Sequence, residues 1–267
     1  MERAVVLGSG GEMPSGRRET SALLLRDGDR ALLVDAGTGA RRLVTDPGLL
    51  SSATRIDVVL THFHMDHLCG LVYLNMSGLP LVVWGPGRAL YDRPTAEILR
   101  RFVGPPLTAH PLEDLADAVE DLPLGVVEIG PFTVRTRRQD RHSDPTLGLC
   151  FGDELAYCTD TGADPATAQF AAGARVLCHD AWFEEDPDED PAAHSSAPQA
   201  GRLARAAGVE RLVLMHLDPT LADHSGVLAA ARSEFPAAAL GEDGLEIWPT
   251  RDGVVATSSP ADGRRPG

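Results

Sequence analysis

Several things are scarce or missing in this 267-residue chain, and each absence narrows the reading. No stretch approaches the roughly 20 apolar residues that a membrane helix needs, so no span and no membrane partner are expected. No apolar leader-type run follows Met1, and Arg3 is succeeded by only a short hydrophobic stretch, so no secretory signal is expected. The four cysteines, Cys69, Cys150, Cys158 and Cys178, include no Cys-x-x-Cys pair. They read as reduced thiols of a cytoplasmic protein, with Cys150 and Cys158 as small buried hydrophobes. Positive charge is in deficit. A net charge of −15 disfavours nonspecific binding to nucleic acid or an anionic membrane, both of which need a basic face. The one dense basic run, Arg135, Arg137, Arg138 and Arg141, reads as an exposed strand edge with salt-bridged arginines. There is no internal repeat and no linker long enough to split domains. At 43% hydrophobic residues the chain has ample material for a core. Residues 1–257 are expected to form one domain, and the polar, Pro- and Gly-rich residues 258–267 a disordered tail.

Apolar runs bounded by turn residues mark the strands. Arg3 to Gly8 leads into the turn Gly8-Ser9-Gly10-Gly11. Ser21 to Arg26 and Ala31 to Asp35 form a hairpin around an Asp27-Gly28 turn. A helix is expected from Asp35 through Leu43, a strand at Ile56 to Leu60, a helix at Leu68 to Leu74 and a strand at Leu81 to Trp84. Residues 88 to 122 read as helical, broken at Gly104-Pro105-Pro106, and as a cover over the site. A hairpin follows at Val126 to Val134, closed by Gly130-Pro131. Further strands lie at Leu149 to Phe151, Leu155 to Cys158, Arg175 to His179 and Arg211 to His216. Ala197 to Ala207 reads as a helix and the acidic stretch Glu184 to Pro191 as a solvated loop. Strands that meander early and alternate with helices late indicate an α/β layer fold.

The densest chemistry follows the strand ending at Leu60. Thr61-His62-Phe63-His64-Met65-Asp66-His67 places three imidazoles and a carboxylate within six positions. Side chains alternate along an extended segment, so His62 and His64 point the same way, while Asp66 and His67 fall past the bend. Four donors so spaced cannot all face one ion, which suggests two adjacent metals. Three other apolar runs end in a ligand type: His142 beyond Thr133 to Asp140, Asp160 after Leu155 to Thr159, and His216 after Leu212 to Met215. A shared position at strand ends favours a common site.

His62-x-His64-x-Asp66-His67 resembles the HxHxDH signature of the metallo-β-lactamase superfamily. That resemblance implies a four-layer αββα sandwich with a dinuclear site on its edge, usually zinc, with manganese or iron as the other options. It further implies one ion on His62, His64, His142 and Asp160 and a second on Asp66, His67, Asp160 and His216. Asp160 would bridge, and a hydroxide between the ions would be the nucleophile, with Asp66 helping to orient it. Other segments are similar to the ribonuclease Z and phosphodiesterase branch: Leu7 to Gly11 with Pro14, Arg18-Glu19-Thr20-Ser21, His142 to Leu149, His179-Asp180-Ala181-Trp182 and His194-Ser195-Ser196. In that branch a histidine and an acid protonate the leaving oxygen, a role the resemblance assigns to His194 and Asp180. Two departures stand out. Leu149 replaces the branch's usual Tyr, and Asp180 its usual Glu. Only 17 residues separate His142 from Asp160, so the arm with which tRNA-processing members protrude has no room there.

The expected activity is therefore hydrolysis of a small or cyclic phosphodiester, with no tRNA partner. Alternatives on the same fold are a lactone, thioester or other ester hydrolase, and an iron-dependent non-hydrolytic member. Arg18, Ser195 and Ser196 are candidate phosphate contacts. His179 reads as structural, and His110 and His224 as surface residues. The resemblance leaves a homodimer open.

Overall fold

Most strands carry apolar residues at consecutive positions, the pattern of strands covered on both faces. The computed structural model, which describes residues 1–188, 193–250 and 253–258 (the last eight of these without side chains), shows that covering for the inner strands, while the edges at Ala118–Asp121 and Gly125–Ile129 stay partly exposed. The strands are β1 (Arg3–Gly8), β2 (Ala22–Asp27), β3 (Arg30–Val34), β4 (Arg55–Val59), β5 (Leu81–Gly85), β6 (Ala118–Asp121), β7 (Gly125–Ile129), β8 (Phe132–Gln139), β9 (Thr146–Phe151), β10 (Leu155–Cys158), β11 (Val176–Asp180), β12 (Arg211–Met215), β13 (Ala238–Leu240), β14 (Leu245–Thr250) and β15 (Gly253–Ser258). They form two mixed sheets, in the orders β15-β14-β1-β2-β3-β4-β5-β6 and β13-β12-β11-β10-β9-β8-β7. Each sheet has an antiparallel half and a parallel half. β3 to β6 run parallel in the first, and β10 to β13 in the second.

Side chains alternate between faces along each strand, and three cores result. Leu23, Leu25, Leu32 and Val34 of the first sheet meet Leu149, Phe151, Leu155 and Tyr157 of the second between the sheets. Leu24, Leu33, Ile56 and Val58 face the other way, onto Leu43, Leu71, Leu74 and Leu99 of the helical layer. Ala156, Leu177, Leu212 and Leu214 face out of the second sheet onto the helices Pro165–Ala171, Ala197–Ala207 and Ser225–Glu234. The order helix, sheet, sheet, helix is the expected αββα sandwich.

Three expectations need correction. Residues 88 to 122 hold the short helices Gly87–Tyr91, Thr95–Leu99 and Leu112–Leu115, but also β6, a half-exposed edge strand parallel to β5. The segment packs on the outer face of the first sheet through Leu99, Val103, Leu112 and Leu115 and does not cover the site. The turn after His67 continues as a 3₁₀ helix, Cys69–Ser77, not an α-helix. Ser258 ends β15; the rest of the expected tail, and residues 189–191 of the acidic loop, lie outside the described residues. β13 to β15 and the helices Pro165–Ala171 and Ser225–Glu234 had no counterpart in the sequence reading. All four cysteines are free, and Cys150 and Cys158 are buried as expected. Among the described residues no helix is long and apolar enough to cross a membrane. The basic run lies on and just after β8, which pairs with both β7 and β9 and so is an inner strand where an exposed edge was expected; Arg137 pairs with Asp164 at 2.7 Å and Arg138 with Asp140 at 2.6 Å.

The helix Ala197–Ala207 matters for the site because His194 sits just before it. Its start is a capping box: the Gln199 N–H donates to Ser196 Oγ at 3.1 Å, and Gln199 Oε1 accepts from the Ser196 N–H at 2.9 Å. Ser196→Ala is expected to cost about 1 kcal/mol of stability. In urea unfolding that should appear as a lower midpoint at an unchanged slope.

Candidate active site

The parallel halves of both sheets bring their C-terminal ends together at one edge of the sandwich. β4 runs through Leu60 and Thr61 to His62 and His64, and the short helix Met65–Leu68 then presents Asp66 and His67. From the second sheet come Asp160 beyond β10, Asp180 at the end of β11 and His216 after β12. His142 lies in the loop between β8 and β9. The Leu147 N–H donates to the Thr61 carbonyl at 3.0 Å and the Leu217 N–H to the Ser9 carbonyl at 3.1 Å, tying the two sheets together at this edge.

All seven expected metal donors meet here, in two groups. In the first, His64 Nδ1 lies 3.2 Å from His142 Nε2, and the His62 ring centroid is 4.5 Å from that of His64. In the second, His67 Nε2 is 3.3 Å from Asp66 Oδ2 and 3.1 Å from Asp160 Oδ2, while His216 Nε2 is 3.2 Å from Asp66 Oδ2 and 3.0 Å from Asp160 Oδ1. Donors on a tetrahedral zinc ion are about 3.3 Å apart, so this spacing suits one ion. Asp160 Oδ1 is also 3.9 Å from His142 Nε2, which places this carboxylate between the groups.

Most of these imidazoles are aimed by a partner on their other nitrogen, as metal-binding histidines usually are. Thr61 Oγ1 lies 3.0 Å from His62 Nδ1, Asp35 Oδ2 2.8 Å from His67 Nδ1, Asp144 Oδ2 3.1 Å from His64 Nε2, and the Ala193 carbonyl 3.1 Å from His142 Nδ1. Asp35 also accepts from the Thr61 N–H at 2.8 Å and from its hydroxyl, so this one buried carboxylate holds His67 directly and His62 through Thr61. The sequence reading missed Asp35 as a site residue, although it too stands just past an apolar strand. Asp35, Asp160 and His216 all adopt left-handed backbone conformations, with φ of 56°, 52° and 54°.

The donor set fits a cation. His62 Nε2 is buried and makes no hydrogen bond, and the buried His67 Nε2 and Asp160 Oδ2, 3.1 Å apart, have only each other and the neighbouring donors to face. Such orphaned atoms are costly in a protein interior unless something else satisfies them. Burial disfavours charge on His67, yet Asp160, Asp66 and Asp35 outweigh it and hold its pKa well above the ordinary value. Burial, aided by the neighbouring His67, pushes His62 well below. The carboxylates thus demand positive charge, and a proton on His67 answers that demand when no ion does.

His194 Nδ1 lies 2.8 Å from Asp180 Oδ2, as expected of a donor pair. Asp180, fully buried, also accepts from the backbone N–H groups of Asp160, Ser195 and Trp182. Burial works against charge on His194, but Asp180, with Asp160 and Asp66 beyond it, pushes its pKa up to about 9. Trp182 stacks on the His194 ring at 4.9 Å between centroids, a contact nothing in the sequence announced. Over the donors lies a cavity of about 360 Å³, whose lining adds Glu12, Met65, Ser143 and Trp182.

The candidate phosphate contacts are not there. Arg18 turns to Ser9 Oγ and the Gly241 carbonyl beside a neighbouring cavity, Ser195 donates to the Thr161 carbonyl, and Ser196 caps its helix. His179 is buried with Nδ1 2.9 Å from the Asp180 carbonyl, in keeping with a structural role. His110 is exposed as expected. His224 is not: it is buried, with Nε2 3.0 Å from the Asp218 carbonyl.

Two outcomes follow for metal binding. A Cβ on Gly11 would overlap the His216 ring. Gly11→Ala should therefore weaken binding at the His216 group by about tenfold in chelator competition, the scale of losing a ligand's support. An unchanged affinity would mean that the ring is not held by that contact. Loading the metal-free protein at pH 7 should also release about one proton, from His67. Calorimetry in two buffers of different ionisation heat would show it, and affinity should fall as pH falls.

The family model described as the β-lactamase superfamily domain matches residues 30–217. A ribonuclease Z of Methanopyrus kandleri is 29% identical over 279 residues, covering 92% of this chain and 99% of the relative. Among solved structures, the metallo-β-lactamase fold protein YhfI of Bacillus subtilis superposes with a TM-score of 0.76 at 22% identity, over 91% of this chain and 98% of that one. A diphosphatase of the PhnP family follows at 0.72 and 17%, over 94% and 98%. With its family match, its fold and its donor clusters agreeing, the chain belongs to the β-lactamase superfamily, as a metal-dependent hydrolase related to ribonuclease Z.

Proposed function

We propose that this protein is a dinuclear phosphodiesterase acting on a small or cyclic phosphodiester, with residues 1–257 as its one domain. The observation that carries the reading is the meeting of two donor groups at Asp160 beside the 2.8 Å His194–Asp180 pair. On this reading His62, His64, His142 and Asp160 would hold one ion, and Asp66, His67, Asp160 and His216 the other; the imidazole-rich set favours zinc. Bound ions would supply Lewis-acid activation of water and of the phosphate.

The remaining steps belong to side chains. Asp66, its Oδ2 fixed at 2.8 Å by the Glu12 N–H, orients the attacking water. The water oxygen bonds to phosphorus and gives up one proton to solvent, the bond from phosphorus to the leaving oxygen breaks, and that oxygen takes the proton of His194 Nε2, which is then replaced from solvent. Asp180 holds the opposite nitrogen and stabilises the charged ring until the proton leaves. The name of a relative, a ribonuclease, supports a phosphate diester as substrate. Between His142 and Asp160 the chain forms only β9, β10 and their turn, and the net charge is −15. Both features favour a small substrate over tRNA. The four free thiols support a cytoplasmic setting.

Zinc- or manganese-loaded protein should hydrolyse bis(p-nitrophenyl) phosphate and lose that activity on chelation. No turnover with two ions bound would defeat the proposal and point to lactones or thioesters. Asp160→Ala should lose both ions along with activity; retention of two would disprove the bridge. His194→Ala should keep its metal and slow diesters with poor leaving groups by roughly 10²–10⁴. An equal loss on the nitrophenyl ester would rule out the proton-donor role.

A further inference from the structure

The cavity over the site has no basic residue in its lining apart from the histidines. The chain contains no lysine, so its 24 basic residues are all arginines, and none of the described ones lines the cavity. Arginine is the usual partner of a second phosphate, because its planar fork matches phosphate oxygens. The charges around the site leave no substitute. Two divalent ions would be matched by the carboxylates of Asp35, Asp66, Asp160 and Asp180. Asp144, bonded to His64, and Glu12 add two further negative charges.

Glu12 is the one acid of the lining that stands outside both donor groups. Its backbone is held in a left-handed conformation, φ 57°, by the N–H bond to Asp66. Its carboxylate makes no hydrogen bond or ion pair with any described residue. The same cavity is also lined by two apolar side chains, Met65 and Trp182, the latter stacked on His194. A free carboxylate and an indole lining one cavity suit a compact organic cation: the acid supplies charge and the indole an electron-rich apolar surface.

We infer that the substrate is a zwitterionic phosphodiester, with a single phosphate charge and an ammonium group on its alcohol that Glu12 and Trp182 receive. This rests on the phosphodiesterase reading above and names the substrate class for it. A diester with a second phosphate finds no arginine among the lining residues for its extra group, and a diester without an ammonium group leaves Glu12 unpaired.

The test uses metal-loaded protein and two chromogenic diesters with the same leaving group, p-nitrophenyl phosphocholine and thymidine 5′-(p-nitrophenyl phosphate). The choline diester should be favoured about tenfold in kcat/KM, chiefly through KM, a ratio that added salt should shrink. Glu12→Gln should lower that ratio about fivefold. Trp182→Ala should lower it as well, and Trp182→Phe should largely preserve it. A wild-type ratio at or below one, or a ratio untouched by Glu12→Gln, overturns the inference while leaving the phosphodiesterase reading intact. Failure to cleave either diester with two ions bound overturns both.

Discussion

The constraint on which the rest of the structure depends is negative charge kept out of water. Asp35, Asp160 and Asp180 are buried, and Asp66 is nearly so, within one edge of the sandwich. An unpaired carboxylate in such a place would simply bind a proton. Here Asp160 and Asp66 are instead held well below the ordinary carboxylate range, burial being outweighed by His67 and His216. Neutral imidazoles alone could not do that. The arrangement is stable only with positive charge at its centre, and divalent ions provide more of it than protonated rings can.

Holding that arrangement requires backbone that a relaxed chain would avoid. Left-handed conformations at Asp35, Asp160 and His216 cost about 1–3 kcal/mol each and survive only where the surroundings enforce them. The enforcing contacts can be named. Asp160 is gripped through its N–H by Asp180, and His216 sits against Gly11, where no Cβ intrudes. Asp35 is pinned by the N–H and the hydroxyl of Thr61 and by His67. The three cores make such enforcement affordable, because each strand end that turns sharply is anchored by a strand buried on both faces.

Much of this was legible in the sequence because donors and strands share a simple grammar. His62 to His67 are neighbours along the chain, and His142, Asp160 and His216 each stand beyond an apolar run. Asp35 obeys the same rule but read as the opening of a helix, since nothing local tells an acid that caps from one that reaches a histidine 32 positions away. Asp144 and the Ala193 carbonyl were out of reach altogether, because their contacts arise from where two loops meet. In the fold, β6 escaped notice because it is a short, half-exposed edge strand with no apolar signature. The covering role expected of residues 88 to 122 failed for a related reason. Helical pattern identifies an apolar face but not which sheet surface receives it.

Asp180 shows why a one-carbon change in an acid can be absorbed. The related branch usually has Glu at this position, and side-chain length alone would leave an aspartate short of His194. Asp180 reaches it because β11 runs parallel between β10 and β12 and delivers the residue into the site at its very end. There one carboxylate takes on two duties: Oδ2 meets the His194 ring and the Asp160 N–H, and Oδ1 accepts from Ser195 and Trp182. The proposed proton donor and the backbone of the proposed bridging ligand thus share one oxygen. A glutamate here would have to move either its own backbone or Asp160 to keep both contacts. Position along the strand, rather than side-chain length, is what sets the reach.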